Sequence, residues 1–372
     1  MMRWVSLGDY IEQCDERNSS AKYTVESVKG VSINKILIDT KADMTGVSLL
    51  PYKIVRPKEF VFVTITSRNG GKISLAMNND KTACIVSSSY EVFRVINPLE
   101  LLPDYLYLWF CRPEFDRYAR FNSWGSAREA FSYEDMERVQ IPLPDIDEQR
   151  KIVSVWKGLR DLKVQNEVIA EPLFELCQSY LKQLKEEYEP TEIGPYIEEV
   201  NEKNAQDNIH DVMGLNVNKE FREPQSRVDK TKLQNYKILR NNQFAYVPTT
   251  DTWRCLAVAL SKFEKDIVVS PIYVTFKIRD EGKLVPEYLY VWLKQKETDR
   301  WARYNSWGSA RENLNFEDLC RFEIPIPSPE KQRAIVNIYN CAKEAKDIAN
   351  KTDQLIKDIC PALMRQVIGE AS

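Results

Sequence analysis

Arg120-Phe121-Asn122-Ser123-Trp124-Gly125-Ser126-Ala127-Arg128 recurs downstream as Arg303-Tyr304-Asn305-Ser306-Trp307-Gly308-Ser309-Ala310-Arg311. Asn, Ser and Arg supply hydrogen-bond donors, Gly lets a backbone come close, and Trp offers a flat apolar face. This mixture suits contact with phosphates or base edges. A structural use is open beside it: Trp124 and Trp307 could be core residues, and the glycines could serve only to allow a positive φ. Arg128 and Arg311 fit burial less well, since Arg is seldom buried unpaired.

Bond-breaking chemistry finds little support. His210 is the one histidine of the chain and has no counterpart in the other copy, which excludes a repeated His-based triad and reads as a loop residue. There is no Gly-x-x-x-x-Gly-Lys phosphate loop, no Gly-x-Gly-x-x-Gly and no Asn/Asp-Pro-Pro-aromatic motif. The eight cysteines include no Cys-x-x-Cys pair, so neither a zinc site nor a disulfide framework is expected, and reduced, mostly buried thiols are. No metal and no catalytic residue is assigned.

The elements that position the two loops are themselves duplicated. Asp116–Val153 (DRYARFNSWGSAREAFSYEDMERVQIPLPDIDEQRKIV) matches Asp299–Val336 (DRWARYNSWGSARENLNFEDLCRFEIPIPSPEKQRAIV) at a shift of about 183 residues. Tyr52-Lys53-Ile54-Val55-Arg56 likewise answers Tyr236-Lys237-Ile238-Leu239-Arg240. Each copy predicts a β-leaning stretch around Phe60–Thr66 or Phe244–Val247. A short helix (Asp104–Phe110; Glu287–Lys294), the Gly-containing loop and a strand ending in Pro (Val139–Pro144; Phe322–Pro327) follow. A long helix closes the copy, with Asp145 or Ser328 as N-cap and Glu148 placed as in a capping box.

The helices carry heptads. Ile152, Val155, Leu159, Leu162, Asn166, Ile169, Leu173, Leu176, Tyr180 and Gln183 alternate in steps of three and four. So do Ile335, Ile338, Ala342, Ala345, Ala349, Thr352, Ile356, Ile359, Leu363 and Gln366. The phase predicts that the helices pair as an antiparallel coiled coil, the alternative being that each buries its stripe on its own module. Pro172 and Pro361 should kink or interrupt them. The expected fold is α+β: two similar α/β domains separated by two long antiparallel coiled-coil helices, with internal pseudo-two-fold symmetry. The boundaries are domain 1 at 1–144, helix 1 at 145–188, domain 2 at 189–327 and helix 2 at 328–372.

Composition limits the setting. A hydrophobic fraction of 43% and a charged fraction of 29% are those of a globular protein, and no apolar run approaches a membrane span. Met1-Met2-Arg3-Trp4 does not begin a signal peptide, so a cytoplasmic location is expected. The net charge of −3 hides an uneven distribution: between Asp145 and Glu199 acids exceed bases by about six, leaving the rest mildly positive. The copies also differ usefully. Ser67-Arg68-Asn69-Gly70-Gly71-Lys72 corresponds to Thr250-Asp251-Thr252-Trp253-Arg254 with almost no shared chemistry, as two readers on one scaffold would need, or as loop drift would produce.

Two half-repeats, each ending in IPLPDIDEQRKIV or IPIPSPEKQRAIV before a long helix, resemble the specificity subunits of Type I restriction-modification systems. The Gly-Ser-Ala-Arg loop also resembles the family pattern, although many members carry Gln where this chain has Arg128 and Arg311. The resemblance implies a non-catalytic subunit with two target-recognition domains that bind a bipartite double-stranded DNA target. Its helices would set the half-site spacing and dock two methyltransferase subunits, which restriction subunits join. No cofactor is expected on this chain, S-adenosylmethionine being bound by the methyltransferase.

On this reading DNA would meet Lys53, Arg68, Asn69, Lys72, Asn122, Trp124 and Arg128 of the first module. In the second it would meet Lys237, Thr250, Thr252, Trp253, Arg254, Asn305, Trp307 and Arg311. Partner subunits would meet Gln149, Arg150, Leu173, Leu176, Gln332, Arg333, Ile356 and Ile359. The target would be two short words that differ somewhat, as in an imperfect inverted repeat, flanking an unread spacer. The rival readings are a methyltransferase with its own recognition domain, for which the repeat leaves no room, and a solitary paralogue acting as scaffold or decoy.

Overall fold

The computed structural model describes residues 3–40, 42–66, 71–126, 128–224, 232–250, 255–309 and 311–369, with 360–368 described by backbone alone. The chain divides into two compact units, Met1–Gln165 with Ile348–Ser372, and Asn166–Asp347. The divisions fall inside the long helices rather than at their ends. No helix among the described residues is long and apolar enough to cross a membrane.

The first unit is built on a four-stranded antiparallel sheet in the order Ile11–Cys14, Tyr90–Val95, Phe60–Val63, Leu75–Met77. Phe60 and Phe93 stack across neighbouring strands with ring centroids 5.0 Å apart, a pairing worth about 0.5–1.5 kcal/mol beyond area burial. Helices α1 (Pro103–Phe110), α2 (Pro113–Phe121) and α3 (Tyr133–Glu137) complete the core. Pro lies in the first turn of α1 and α2, where a missing amide costs nothing. Ser132 and Asp135 form a capping box on α3. The Ile-Pro-x-Pro element is the strand Gln140–Leu143, paired with Arg3–Ser6, and the Tyr105 hydroxyl donates to the Pro142 carbonyl at 2.8 Å.

The second unit repeats this plan. Its sheet runs Ile197–Glu199, Val274–Ile278, Gln243–Tyr246, Val258–Leu260, and Phe244 stacks on Phe276 at 4.7 Å. Helices α5 (Pro286–Leu293), α6 (Lys296–Tyr304) and α7 (Phe316–Cys320) follow, and the Tyr288 hydroxyl donates to the Pro325 carbonyl at 2.8 Å. Helices α2 and α6 occupy part of the stretch for which the sequence predicts only a loop.

The long helices are α4 (Ile146–Glu187) and α8 (Pro329–Ile368). Asp145 caps α4, accepting the Glu148 amide at 3.0 Å, and that bond holds its carboxyl below the usual range. The Glu148 side chain pairs with Lys151 at 3.2 Å. α4 runs through Pro172 unbroken, contrary to an interruption there. Pro172 is exposed, so water can replace the amide that proline lacks.

The two long helices touch within each unit. In the first unit Lys163 of α4 donates to Asp353 of α8 at 2.6 Å. In the second, Phe174 meets Tyr339 edge-on at 5.9 Å and Lys331 reaches the Tyr188 hydroxyl at 3.1 Å. Within the second unit Phe174 meets Tyr339 whereas the later Tyr188 meets the earlier Lys331, so the contacts there are antiparallel. The helices also close the module cores, through Ile152, Val153 and Trp156 in the first unit and Cys177, Leu181, Leu184, Ile335 and Val336 in the second.

The heptad phase holds on α8, where Ile335, Ala342, Ala345, Ala349 and Thr352 are buried and Ile338, Ile356 and Ile359 half-buried; the Leu363 and Gln366 side chains lie outside the described set. On α4 every second position slips by one. Val155, Leu162, Ile169, Leu176 and Gln183 are exposed, as is Tyr180 of the other set, while Trp156, Ala170, Cys177, Leu181 and Leu184 take the buried places. Steps of three and four fit either phase. Trp156, packed at 5.6 Å on Tyr107, shows which one the module core selects.

Candidate nucleic-acid interface

Each repeated loop is shaped by the end of the helix before it. At the end of α2, Asn122 Nδ2 donates to the Tyr118 carbonyl at 2.9 Å and Ser123 Oγ to the Ala119 carbonyl at 2.6 Å. Asn305 and Ser306 make the same bonds to Trp301 and Ala302. The chain then doubles back: Trp124 and Ala130 exchange both backbone hydrogen bonds at 3.0 Å, as do Trp307 and Asn313. Inside these closures Gly125 has φ +145° and Gly308 φ +149°, and an added Cβ would overlap the carbonyl oxygen of Arg128 or Arg311. Only glycine fits there.

Closure turns the side chains outward. Trp124 is 70% exposed and Trp307 67%, so neither is a core residue. Arg128 and Arg311 are exposed, and neither guanidinium makes an ion pair among the described residues. Phe121 (78%) and Tyr304 (84%) add a second exposed ring to each loop. Sequence reasoning missed these two, although their aromatic character repeats in the quoted segments.

The segments that differ between modules begin beside these loops. The Thr66 amide donates to the Glu129 carbonyl at 3.0 Å and the Phe131 amide to the Thr64 carbonyl at 2.8 Å. In the second unit Thr250 donates to Glu312 at 3.0 Å and Leu314 to Pro248 at 2.9 Å. Lys72, the last residue of the first segment, is exposed. Arg68, Asn69, Thr252, Trp253 and Arg254 lie outside the described residues.

Other expected contact residues are occupied by the fold. Lys53 is buried and ion-paired to Glu91 at 3.1 Å and Asp15 at 3.4 Å. Lys237 is half-buried, donates to the Tyr273 carbonyl at 2.8 Å, and is held below the usual lysine pKa by desolvation. Thr250 is fully buried, its hydroxyl donating to Ser306 Oγ at 2.9 Å. Asn122 and Asn305 spend a donor on their own helix, as described above. What survives in the first unit is Lys72, Trp124 and Arg128 with Phe121, and in the second Trp307 and Arg311 with Tyr304.

The expected partner contacts sort likewise. Gln149 and Gln332 are fully buried and bind backbone inside their own modules, so neither is available to a partner. Ile356 packs on the core of the first unit, and Leu173 and Ile359 are half-buried. Arg150, paired with Asp147 at 2.8 Å, is exposed, as are Arg333 and Leu176. His210 is an exposed loop residue. Of the described cysteines only Cys84 and Cys177 are buried, fewer than expected, and Cys341 is exposed. No group of three His, Cys, Asp or Glu among the described residues is placed to hold a metal.

Comparison with known proteins gives three findings. A family model described as the Type I restriction modification DNA specificity domain matches twice, over residues 52–172 and 173–357. The Type I restriction enzyme EcoBI specificity subunit of Escherichia coli is 30% identical over 102 residues. That match spans 27% of this chain and 20% of the relative. The Type I restriction-modification system S subunit from M. genitalium superposes with a TM-score of 0.64 at 12% identity, over 99% of this chain and 96% of that one, a likeness of fold.

Proposed function

Since this chain belongs to the Type I restriction-modification DNA specificity family, we propose that each of its modules reads one word of a split double-stranded DNA target. One observation carries the reading. In both modules the same backbone-closed loop turns outward a Trp and an Arg that makes no ion pair among the described residues, next to a segment whose sequence differs. The repeated part supplies contacts any DNA would accept, phosphates for Arg and a stacking face for Trp. The differing part supplies base readout.

The chain itself performs no chemistry on this reading. S-adenosylmethionine belongs to partner methyltransferase subunits, with restriction subunits completing a cytoplasmic complex. Exposed apolar residues on α4 support partner docking: Val155 and Leu162 in the first unit, and Val168, Ile169 and Leu176 in the second. Monomeric proteins rarely leave large contiguous apolar patches in water.

The test is to map methylated bases in cells that carry this chain with its methyltransferase. Two words separated by a constant unread spacer are expected. Writing the sequence Ser67–Lys72 into the second module in place of Asp251–Cys255, so that the buried Thr250 is kept, should change one word and leave the other. Methylation without a split target, or a swap that alters both words, would show the reading to be wrong.

A further inference from the structure

Lys35 and Lys219 are buried lysines, with side chains 6% and 5% exposed, at the same place in the two modules. Both occupy the left-handed region, φ +64° and +62°, at the tip of a hairpin. The turn around Lys35 is closed by its amide on the Ser32 carbonyl at 3.1 Å, and that around Lys219 by its amide on Asn216 at 3.1 Å. A lysine tolerates neither burial nor this backbone conformation well. That both departures recur together points to a use.

The ammonium groups meet carboxylates from the repeated segments. Lys35 Nζ lies 2.5 Å from Asp116 Oδ1 on α2 and 2.7 Å from the Ile73 carbonyl. Lys219 Nζ lies 2.7 Å from Asp299 Oδ1 on α6 and 2.6 Å from the Leu293 carbonyl. Tyr107 and Tyr290 hold the two lysine carbonyls from α1 and α5. The same carboxylate oxygen accepts one further amide: Ile73 at 3.2 Å in the first module, Leu256 at 3.0 Å in the second.

Ile73 directly follows the first differing segment and Leu256 follows the second after Cys255, while Thr250, opposite Ser67 in sequence, takes the structural place of Thr66. The outgoing ends, Thr66 and Thr250, are clipped to Glu129 and Glu312. Each differing segment is therefore held at both ends by groups of the repeated segment. Its residues can change while the points between which it is strung stay put.

We propose that Lys35–Asp116 and Lys219–Asp299 are positioning pairs for base recognition, fixing where each recognition segment returns to the scaffold and so which bases its module accepts. This rests on the reading of the modules as DNA readers. An ion pair suits the task better than an apolar contact, because a carboxylate shared by an ammonium and an amide has one geometry, whereas apolar side chains can slide.

The experiment uses the full chain in its methyltransferase complex and measures methylation at every single-base variant of the two words. Asp116→Ala should relax discrimination in one word only, by about tenfold, within the range a lost base contact spans. Asp299→Ala should relax only the other word. Asp116→Asn, which keeps an oxygen for the Ile73 amide, should retain most of the discrimination. The salt slope of non-specific binding should not move, since no phosphate contact is removed.

Should Asp116→Ala fail to fold, Lys35→Met gives a second readout: it leaves the Ile73–Asp116 bond but removes the ammonium that fixes the carboxylate, so discrimination in the same word should fall, though by less than in Asp116→Ala. Unchanged discrimination in folded variants, or equal loss in both words, overturns the positioning role. A wild-type complex that methylates no split target overturns the underlying reading instead, so the two failures are distinguishable.

Discussion

The Leu102 amide donates to Oε1 of the fully buried Gln149 at 2.8 Å, and Gln149 Nε2 returns bonds to the carbonyls of Glu100 at 2.8 Å and Pro144 at 3.0 Å. Gln332 repeats the arrangement with Val285, Lys283 and Pro327. The Gln of the Gln-Arg pair is thus a clamp between the start of a long helix and its own module. Gln149→Leu strands three backbone groups, and a loss on the order of 3 kcal/mol is expected from chemical denaturation. Arg150→Ala beside it should change stability by less than about 0.5 kcal/mol. Equal effects would refute the clamp.

Gly125→Ala and Gly308→Ala should damage one recognition loop without unfolding its module. The added Cβ meets the Arg128 or Arg311 carbonyl oxygen, so the loop must open, while the core beneath is untouched. DNA affinity should fall at least tenfold with the far-ultraviolet circular dichroism unchanged. Wild-type affinity in a folded Gly125→Ala chain would show that the closed loop is not needed.

Arg128→Ala and Arg311→Ala separate phosphate contact from base contact. Loss of a phosphate contact weakens binding to all sequences and lowers the salt slope by about one. Titrations at several salt concentrations decide it: altered base preference at constant slope assigns these residues to bases, and no change at all removes them from the interface.

Leu173 and Leu176 should respond differently to charge. Leu176 is 43% exposed, so Leu176→Asp should leave the chain folded and weaken its complex with the methyltransferase on a sizing column. Leu173 is half-buried, and Leu173→Asp should lower the melting temperature as well. Full assembly of the Leu176→Asp chain would exclude that face of α4 as a docking surface.

The Lys163–Asp353 pair predicts an acid dependence. The Lys163 hydrogen bond holds the Asp353 carboxyl below its ordinary value. Its stabilisation is therefore complete above the unfolded carboxyl pKa of about 4 and is lost as pH falls through the lower folded value. Both groups are about one-third exposed, so a double-mutant cycle should give about 0.2–1 kcal/mol at neutral pH and nothing near pH 2. Coupling that persists in acid would contradict this assignment.

Sequence alone determined what repetition and local chemistry can carry. The duplicated modules, the Asp145 cap, the short helices and the α8 seam follow from identities and spacings a few residues long. Tertiary structure decided what depends on partners distant in the chain. Whether Trp124 faces water rests on the backbone closure with Ala130, and whether Lys53 is free rests on Glu91. Both phases of α4 share a three–four spacing, so only the module core could choose Trp156 over Val155. Lys35 gave a faint signal in its Asn-Lys match with Lys219, yet its pairing depends on Asp116, which meets it only when α2 packs against the tip of the Lys35 hairpin. Periodicity records which residues turn together, whereas burial and pairing depend on what packs against them, and that is a property of the whole fold.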